Sequence, residues 1–333
     1  MTVDILYLGA RGQGWGPVDE LAQLASEVFD ARLFSVKDRG EVSTFRKVTA
    51  YFPRRRRSAR SLLVIAANPA LLAYVSDRRY WLTGYEQVAA WVIDSFWTDR
   101  VSLFARTGKH FDHLFVTDRD LTEEWSRLTR TPVYWAPWGA DTLQIEHAFN
   151  HRSIDLLRVG RQPKIWNDDE VTAHTAKFYG IEFHGRPPMA RTGDENQKLL
   201  RDRLRESKFV LAFHNLISPA PYTHPTRDYL TGRWMDALAA GATVVGAAPV
   251  AATYTLWPGA TVEIEPNDLD LGMRQVRDLV SVWTPEHAEK QRQQARSVLD
   301  WRLRLRDIAR VMELSPPKLE EQLRRLGVPL EDG

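Results

Sequence analysis

The chain is expected to be an α/β protein with two doubly wound parallel sheets, and three observations predict this. Short apolar runs alternate with amphipathic stretches of helical period, as parallel βαβ units require. The 333 residues are long for one core and suit two domains of about 150 residues each. The rhythm then restarts beyond the segment Asn150–Ser153, with a second series of apolar runs beginning at Asp155.

Taken in order, the first half offers strands at Ile5–Leu8, Ala31–Val36, Ser61–Ile65, Gln87–Ile93, His113–Val116 and Val133–Ala136. Between them, Val18–Val28 and Leu121–Leu128 repeat apolar residues with helical spacing. The second half offers strands at Asp155–Val159, Glu182–His184, Phe209–Phe213, Thr243–Val245 and Thr261–Ile264. Helices are expected over Glu170–Tyr179, Asn196–Glu206, Gly232–Ala240, Leu271–Val282 and, as one long element, Pro285–Met312. A short helix at Lys318–Leu326 follows Pro316-Pro317. The expected domains are residues 1–150 and 151–312, with a tail over 313–333, and Asn150–Ser153 is the expected hinge. Ligands of such sheets bind outside the carboxyl ends of the strands.

Composition narrows the class. Hydrophobic residues make up 44% and charged residues 26%, as in ordinary soluble globular proteins. A formal charge of +2 gives no global attraction to nucleic acid or membrane. There is no cysteine, which excludes disulfides and thiolate metal sites. Met1-Thr2-Val3-Asp4 enters a strand directly, without a secretory leader, and no apolar run reaches the ~18–20 residues of a membrane span. A cytoplasmic location is the expectation.

Two aspartates eight positions apart carry most of the chemical information. Asp236 opens Asp236-Ala237-Leu238-Ala239-Ala240-Gly241, followed by the apolar run Ala242–Gly246. This predicts a short helix stopped by a glycine at positive φ, then a buried strand. Asp228 lies in the loop leading to that helix. Carboxylates accept hydrogen bonds from vicinal hydroxyls, which suits a ribose or sugar ring. Helix capping by Asp228 and a solvated position for Asp236 are the plain structural alternatives.

The segment from Thr226 to Gly246 resembles the signature of retaining nucleotide-sugar glycosyltransferases of the GT-B fold. In that family two acidic residues, seven positions between them, precede Ala-x-Ala-x-Gly and an apolar strand. Asp228, Asp236, Ala237, Ala239 and Gly241 match it, with aspartate where the family has glutamate. Arg233 resembles the arginine of the subgroup related to spore-maturation-protein glycosyltransferases. The resemblance is strongest over residues 150–310. It implies two Rossmann-like domains facing across a cleft, a C-terminal helix crossing back to the first domain, and sugar transfer from a nucleoside diphosphate sugar. It further implies that Asp236 binds the donor ribose and Asp228 the sugar hydroxyls, with no cofactor beyond the donor itself.

Several other residues are placed at strand ends by the expected fold. Arg158-Val159-Gly160-Arg161-Gln162-Pro163-Lys164 resembles the family's diphosphate-binding element, so Arg161 and Lys164 become candidates to stabilise the departing diphosphate. An exposed basic turn is the alternative. Gly185 and Arg186 end one strand, while His214 and Asn215 follow another and are candidate donor contacts; His214 can equally be a packed histidine. Gly12 and Gly14 belong to a glycine-rich loop after the first strand that admits a sugar or phosphate closely. A dinucleotide-binding loop fits less well, because Gly16 follows Gly14 by two positions instead of three. Asp94, at the end of another strand, is a candidate general base or a helix cap.

The run Arg54-Arg55-Arg56-Arg57 suits either a solvated loop or contact with a polyanion or acceptor. The acceptor class itself (glycan, lipid-linked, small molecule or nucleic acid) is open. No metal constellation is convincing: Asp118-Arg119-Asp120 and Asp268-Leu269-Asp270 both sit where helix caps are expected. The expected activity is the one the resemblance implies, a glycosyltransferase of retaining type, and metal-independent transfer is expected with it. A sugar-nucleotide epimerase or hydrolase on the same fold, or a non-catalytic polyanion-binding protein, are the competing classes.

Overall fold

The structure is a computed structural model, and it describes residues 2–10, 13–37, 52–77, 80, 83–144, 151–188 and 190–328. The expected hinge lies partly outside these residues. Two parallel sheets form. The first comprises β1 (Thr2–Gly9), β2 (Arg32–Lys37), β3 (Ser58–Ala66), β4 (Tyr85–Val92), β5 (His113–Val116) and β6 (Val133–Trp135), in the order β2-β1-β3-β4-β5-β6. The second comprises β7 (Ile154–Arg158), β8 (Phe183–His184), β9 (Ser207–Phe213), β10 (Thr243–Ala247) and β11 (Thr261–Glu263), in the order β11-β10-β9-β7-β8. In each sheet the first strand lies between the second and the third, so winding reverses at the β1/β3 pair and again at the β7/β9 pair. That reversal opens a crevice at the carboxyl ends of those strands.

The helices are α1 (Gly16–Val28), α2 (Leu103–Arg106), α3 (Thr122–Thr129), α4 (Asp169–Phe178), α5 (Gly193–Glu206), α6 (Gly232–Ala239), α7 (Ala252–Thr255), α8 (Leu269–Ser281), α9 (Pro285–Val298), α10 (Trp301–Val311) and α11 (Pro317–Leu326). The chain forms two compact units, residues 1–137 with 302–333, and residues 138–301. The sequence placed the divisions at 150 and 312. The difference at the second boundary has a local cause. The long helix expected over Pro285–Met312 is broken between α9 and α10, where Asp300, fully buried, accepts from the backbone N–H and the hydroxyl of Thr142 at 3.1 and 2.5 Å. Ala140 N–H donates to Leu299 O and Trp301 N–H to Ala140 O, so the segment around Trp138 joins the second unit before β7 begins.

In the first unit, apolar β1, β3 and β4 are buried along their centres, with Ile5, Leu6, Leu63, Val64, Ala89 and Trp91 inaccessible to solvent. Asp4 is the exception: a fully buried carboxylate near the start of β1. Arg32 on β2 donates to it at 3.1 and 3.0 Å, Arg60 on β3 donates through both Nε and Nη2, and the Tyr85 hydroxyl on β4 donates at 3.1 Å. One carboxylate thus ties four neighbouring strands. Burial alone would raise its pKa, but the hydrogen bonds from Arg32, Arg60 and Tyr85 outweigh this and hold it below the usual carboxylate range. In the same unit α11 returns to α1, with Lys318 Nζ 2.6 Å from Asp30 and Gln322 donating to Glu27 at 3.0 Å.

In the second unit, Trp166, Phe209, Leu211, Phe213, Val245 and Met273 form a buried cluster. Gly246 in β10 adopts φ +145, and a Cβ there would overlap the carbonyl oxygen of Ala212 on β9. Gly246→Ala is therefore expected to lower unfolding free energy by about 2–3 kcal/mol, combining backbone strain with overpacking. A denaturant midpoint unchanged from wild type would contradict that assignment.

Candidate functional site

The second unit gathers most of the candidate residues at the crevice end of β7 and β9. β7 ends at Arg158, whose guanidinium is buried and committed inward to the Asn167 carbonyl at 2.9 Å, the Asn167 side chain at 2.7 Å and the Asp169 carboxylate. The chain then turns through Gly160 at φ +77. A Cβ at Gly160 would lie 2.7 Å from Nη1 of Arg233, so the glycine leaves room for that guanidinium to lie over the strand end. Arg233 comes from the first turn of α6 and donates to Phe213 O, the last residue of β9, at 3.1 Å. It therefore spans the winding reversal between β7 and β9.

Arg161 stands beside it. Its Nε donates to Ser218 O at 3.2 Å, and its guanidinium lies 5.2 Å from the ring centre of Tyr222. Burial, followed by the nearby positive charge of Arg161, pushes the Arg233 pKa down to about 9. Neither guanidinium is paired with a carboxylate among the described residues. Two cations held together without a counter-ion favour an incoming anion. The first-turn amides of α6 point the same way in energy, because its N-cap residue Thr231 makes no side-chain cap hydrogen bond.

Lys164, expected to share this role, is exposed in the short turn Lys164–Trp166 and makes no side-chain hydrogen bond or ion pair among the described residues. The partner of Arg161 is Arg233, which loop spacing could not show because the two meet only through the fold.

The paired aspartates engage different elements. Asp228 accepts the backbone N–H of Val250, in the loop after β10, at 2.8 Å. Asp236 lies one turn along α6 from Arg233, on the same face, and accepts from Gln197 of α5 at a long 3.5 Å. Around Asp228, His214 follows β9 and its N–H donates to Ala247 O at 2.9 Å. Burial lowers the His214 pKa, against the pull of nearby Asp228 and Glu263 and with a small push from Arg233, so the imidazole is neutral at pH 7. Its Nδ1 is buried without a hydrogen-bond partner among the described residues.

Asn215 does a structural job. It is buried, and its Nδ2 donates at 2.8 Å to the carbonyls of both His224 and Arg227, fixing the loop that presents Asp228. Gly185 abuts Asp169, whose carboxylate also accepts the Arg186 N–H at 3.1 Å, while the Arg186 side chain is exposed and reaches Gly160 O only at 3.5 Å. Gly185 and Arg186 therefore border the Gly160 turn.

In the first unit Asp94 follows β4, its N–H bonded to Ala67 O at 3.0 Å. Its carboxyl is half-buried and accepts no side-chain hydrogen bond among the described residues, and burial pushes its pKa up to about 7, with Arg100 opposing. The helix-cap alternative is not what the geometry presents. A carboxyl held partly out of water has a stability signature. Between about pH 4 and 7 the folded state binds more protons at Asp94 than the unfolded state, so stability from this group falls as pH rises. Asp94→Asn is expected to stabilise the protein at pH 8 by on the order of 1–2 kcal/mol and to leave it unchanged near pH 4. Equal stability of the two proteins at pH 8 would contradict the assignment.

Gly12 lies outside the described residues. Gly14 sits in the turn Gln13–Trp15, where a Cβ would meet nothing within 4 Å, so no neighbouring atom of the chain requires a glycine. The arginine run divides. Arg54 donates to the Tyr85 carbonyl and to the Asp112 carboxylate, and Arg56 reaches the same carboxylate at 2.8 Å. Arg55 and Arg57 are exposed. Half of the run thus braces β4 and its neighbour rather than forming an open cationic patch. Asp118 and Asp268 accept from Asp120 N–H and Leu271 N–H at 3.0 Å each, as caps of the elements that follow.

No protein-family model matches the chain, and no curated protein matches it. Solved structures do. Anabaena HepE in complex with UDP and glucose superposes with a TM-score of 0.56 at 9% identity, covering 94% of this chain and 100% of HepE. HepE in complex with UDP-glucose gives 0.51 at 10% identity, covering 93% and 99%. AviGT4, a glycosyltransferase involved in avilamycin A biosynthesis, gives 0.51 at 12% identity, covering 93% and 97%. The chain has the two-domain, Rossmann-like fold of the GT-B class. Among the described residues, no helix is long and apolar enough to cross a membrane.

Proposed function

We infer that this protein is a glycosyltransferase that moves a sugar from a nucleoside diphosphate sugar to an acceptor. The observation that carries the reading is the guanidinium pair Arg161–Arg233, without a carboxylate partner among the described residues, at the winding reversal of the second sheet. A diphosphate supplies the missing negative charge and gains it again as the bond to the sugar breaks, so the pair stabilises the leaving group most when it is needed. The amides opening α6 add to this field. The complexes of HepE with UDP and with UDP-glucose support a uridine nucleotide as first choice.

Asp236 is assigned to the ribose and Asp228 to the sugar hydroxyls, with the neutral His214 imidazole beside Asp228 as a further polar contact. The acceptor hydroxyl oxygen bonds to the anomeric carbon, the bond from that carbon to the diphosphate oxygen breaks, and the departing phosphate oxygen takes the hydroxyl proton. That course retains configuration and needs neither a side-chain base nor a metal, because Arg161 and Arg233 already compensate the leaving charge. No cofactor beyond the donor is assigned. The acceptor is assigned to the N-terminal domain.

A second course has its own support. The Asp94 carboxyl, at about 7, is poised to accept a proton at neutral pH, as an inverting transferase requires of its base. Anomeric configuration of the product, read by proton NMR, separates the two. Retention with Asp94→Asn still active supports the first course. Inversion, with kcat reduced about 10²–10⁴-fold in that variant, identifies the second.

A thermal-shift screen of UDP-, GDP-, ADP- and dTDP-sugars tests the function itself, since a ligand bound only by the folded state raises stability. A rise with UDP-sugars is expected, and no response to any of the four would count against the assignment. Free sugar or an isomer formed from donor alone would instead identify a hydrolase or epimerase. Asp236→Ala, lying on the face of an intact helix, is expected to weaken donor binding about 10-fold or more while its melting temperature without ligand stays near wild type.

A further inference from the structure

The amino-terminal edge of the second sheet carries a concavity that the proposed chemistry does not use. It is walled by Phe209, Trp257, Val262, Leu279, Val282 and Trp283 and has a volume of about 220 Å³. Phe209 and Thr243 belong to the beginnings of β9 and β10, whereas His214 and the Arg233 contact lie at the opposite ends of the strands. The first and last of the five residues of β10 lie about 13 Å apart at the usual strand rise, which separates the two edges. The two places are distinct.

One wall is preformed by a closed polar network. Gln291 on α9 is 8% exposed; its Oε1 accepts the Trp257 indole N–H at 2.7 Å, and its Nε2 donates to Thr243 Oγ1 at 2.9 Å and Gly259 O at 2.6 Å. These groups need no water, so the remaining lining presents mostly carbon to whatever enters. A dry cavity of about 150 Å³ accommodates benzene, and this one admits a substituted aromatic ring or a short acyl chain.

The rim gives the ligand its charge. Lys290 and His287 line the opening, and no carboxylate does. Lys290 is exposed and forms no ion pair among the described residues. His287 Nδ1 accepts the Thr284 N–H at 3.0 Å, which leaves the ring proton on Nε2 as a donor. The acids beside them in sequence are committed elsewhere, Glu289 to Arg292 at 2.7 Å and to Gln293 at 2.9 Å, and Glu286 to the Thr284 hydroxyl.

From this geometry we propose that the concavity is a second small-molecule site, for an organic carboxylate with an aromatic or short acyl body. The apolar end fills the space between Trp257 and Trp283, and the carboxylate meets Lys290 and the Nε2–H of His287. The site stands independently of the nucleotide assignment.

Fluorine NMR with 4-(trifluoromethyl)benzoate tests it, using 4-(trifluoromethyl)benzyl alcohol as the neutral counterpart of the same shape. Val282 is 65% exposed at the rim, so Val282→Trp fills the opening without disturbing the core. Lys290→Glu reverses the local charge. Wild type is expected to bind the benzoate saturably with Kd on the order of 1 mM or tighter. Val282→Trp should weaken binding at least about 10-fold, and Lys290→Glu or the neutral probe at least about 5-fold. Both variants should melt like wild type. Absence of saturable binding to wild type, affinity unaltered in both variants, or equal affinity for the alcohol would each overturn the proposal.

Discussion

Replacing Arg161 and Arg233 together with alanine is expected to weaken UDP-glucose binding by at least about 100-fold in calorimetric titration. Hydrogen bonds to charged groups contribute about 1.5–3 kcal/mol each, and the double variant removes two such donors from the diphosphate. The single variants separate their roles. Arg161 is half-buried and bonded only to Ser218 O among the described residues, so Arg161→Ala should alter affinity with little loss of stability. Arg233 also holds the end of β9 through Phe213 O, so its loss should lower the melting temperature as well. Removing Arg161 also relieves the repulsion that helps push the Arg233 pKa down to about 9. Affinity of the double variant within a few-fold of wild type would show that the phosphates lie elsewhere.

The largest stability effect is expected at Asp4, far in sequence from any proposed chemistry. Asp4→Ala leaves the Arg32 and Arg60 guanidiniums and the Tyr85 hydroxyl without their common acceptor. Deleting one partner of a buried ion pair costs about 3–5 kcal/mol. Arg32 is 64% exposed and can rehydrate, so the lower end, about 3 kcal/mol, is the expectation for urea denaturation. The pH dependence has a definite sign. Asp4 has a depressed folded-state pKa, so its contribution is complete above the ordinary value of 3.8 and is lost as pH falls through the lower folded value. The difference between wild type and variant should therefore shrink below about pH 4. A variant as stable as wild type at pH 7 would contradict the role given to this carboxylate.

Much of the fold could be read from alternation alone. Each of the eleven expected strands has a counterpart, from β1 to β11, because buried parallel strands are short apolar runs that few other elements imitate. The structure departs from the local pattern where a tertiary contact overrides local preference. The helical pattern through Pro285–Met312 is continuous in sequence, yet Asp300 turns inward to Thr142, a partner more than 150 positions away, and the helix breaks there. The short helical turn Pro69–Ser76 carries no apolar repeat of helical period, so its sequence gives no helical signal.

The site was legible in part, for the same reason. Asp228, Asp236 and Arg233 stand out in the sequence by their motif spacing, and Arg161 by the glycine turn after β7. The pairing of Arg161 with Arg233 was not legible, since it depends on Gly160 admitting a guanidinium from α6. Asn215 looked like a donor contact from its place after β9, but its burial and its two bonds to the loop before Asp228 make it a brace. The arginine run looked free because Asp112, which neutralises Arg54 and Arg56, lies more than fifty residues further on.

The direct test of the account is phosphorus NMR of UDP titrated with the wild-type protein, with uridine as competitor. If Arg161 and Arg233 grip a diphosphate, both phosphate resonances should shift and broaden saturably, and uridine should displace UDP only at about 100-fold or greater excess. Phosphate signals that stay sharp and unmoved at saturating protein, or uridine competing on equal terms, would contradict it.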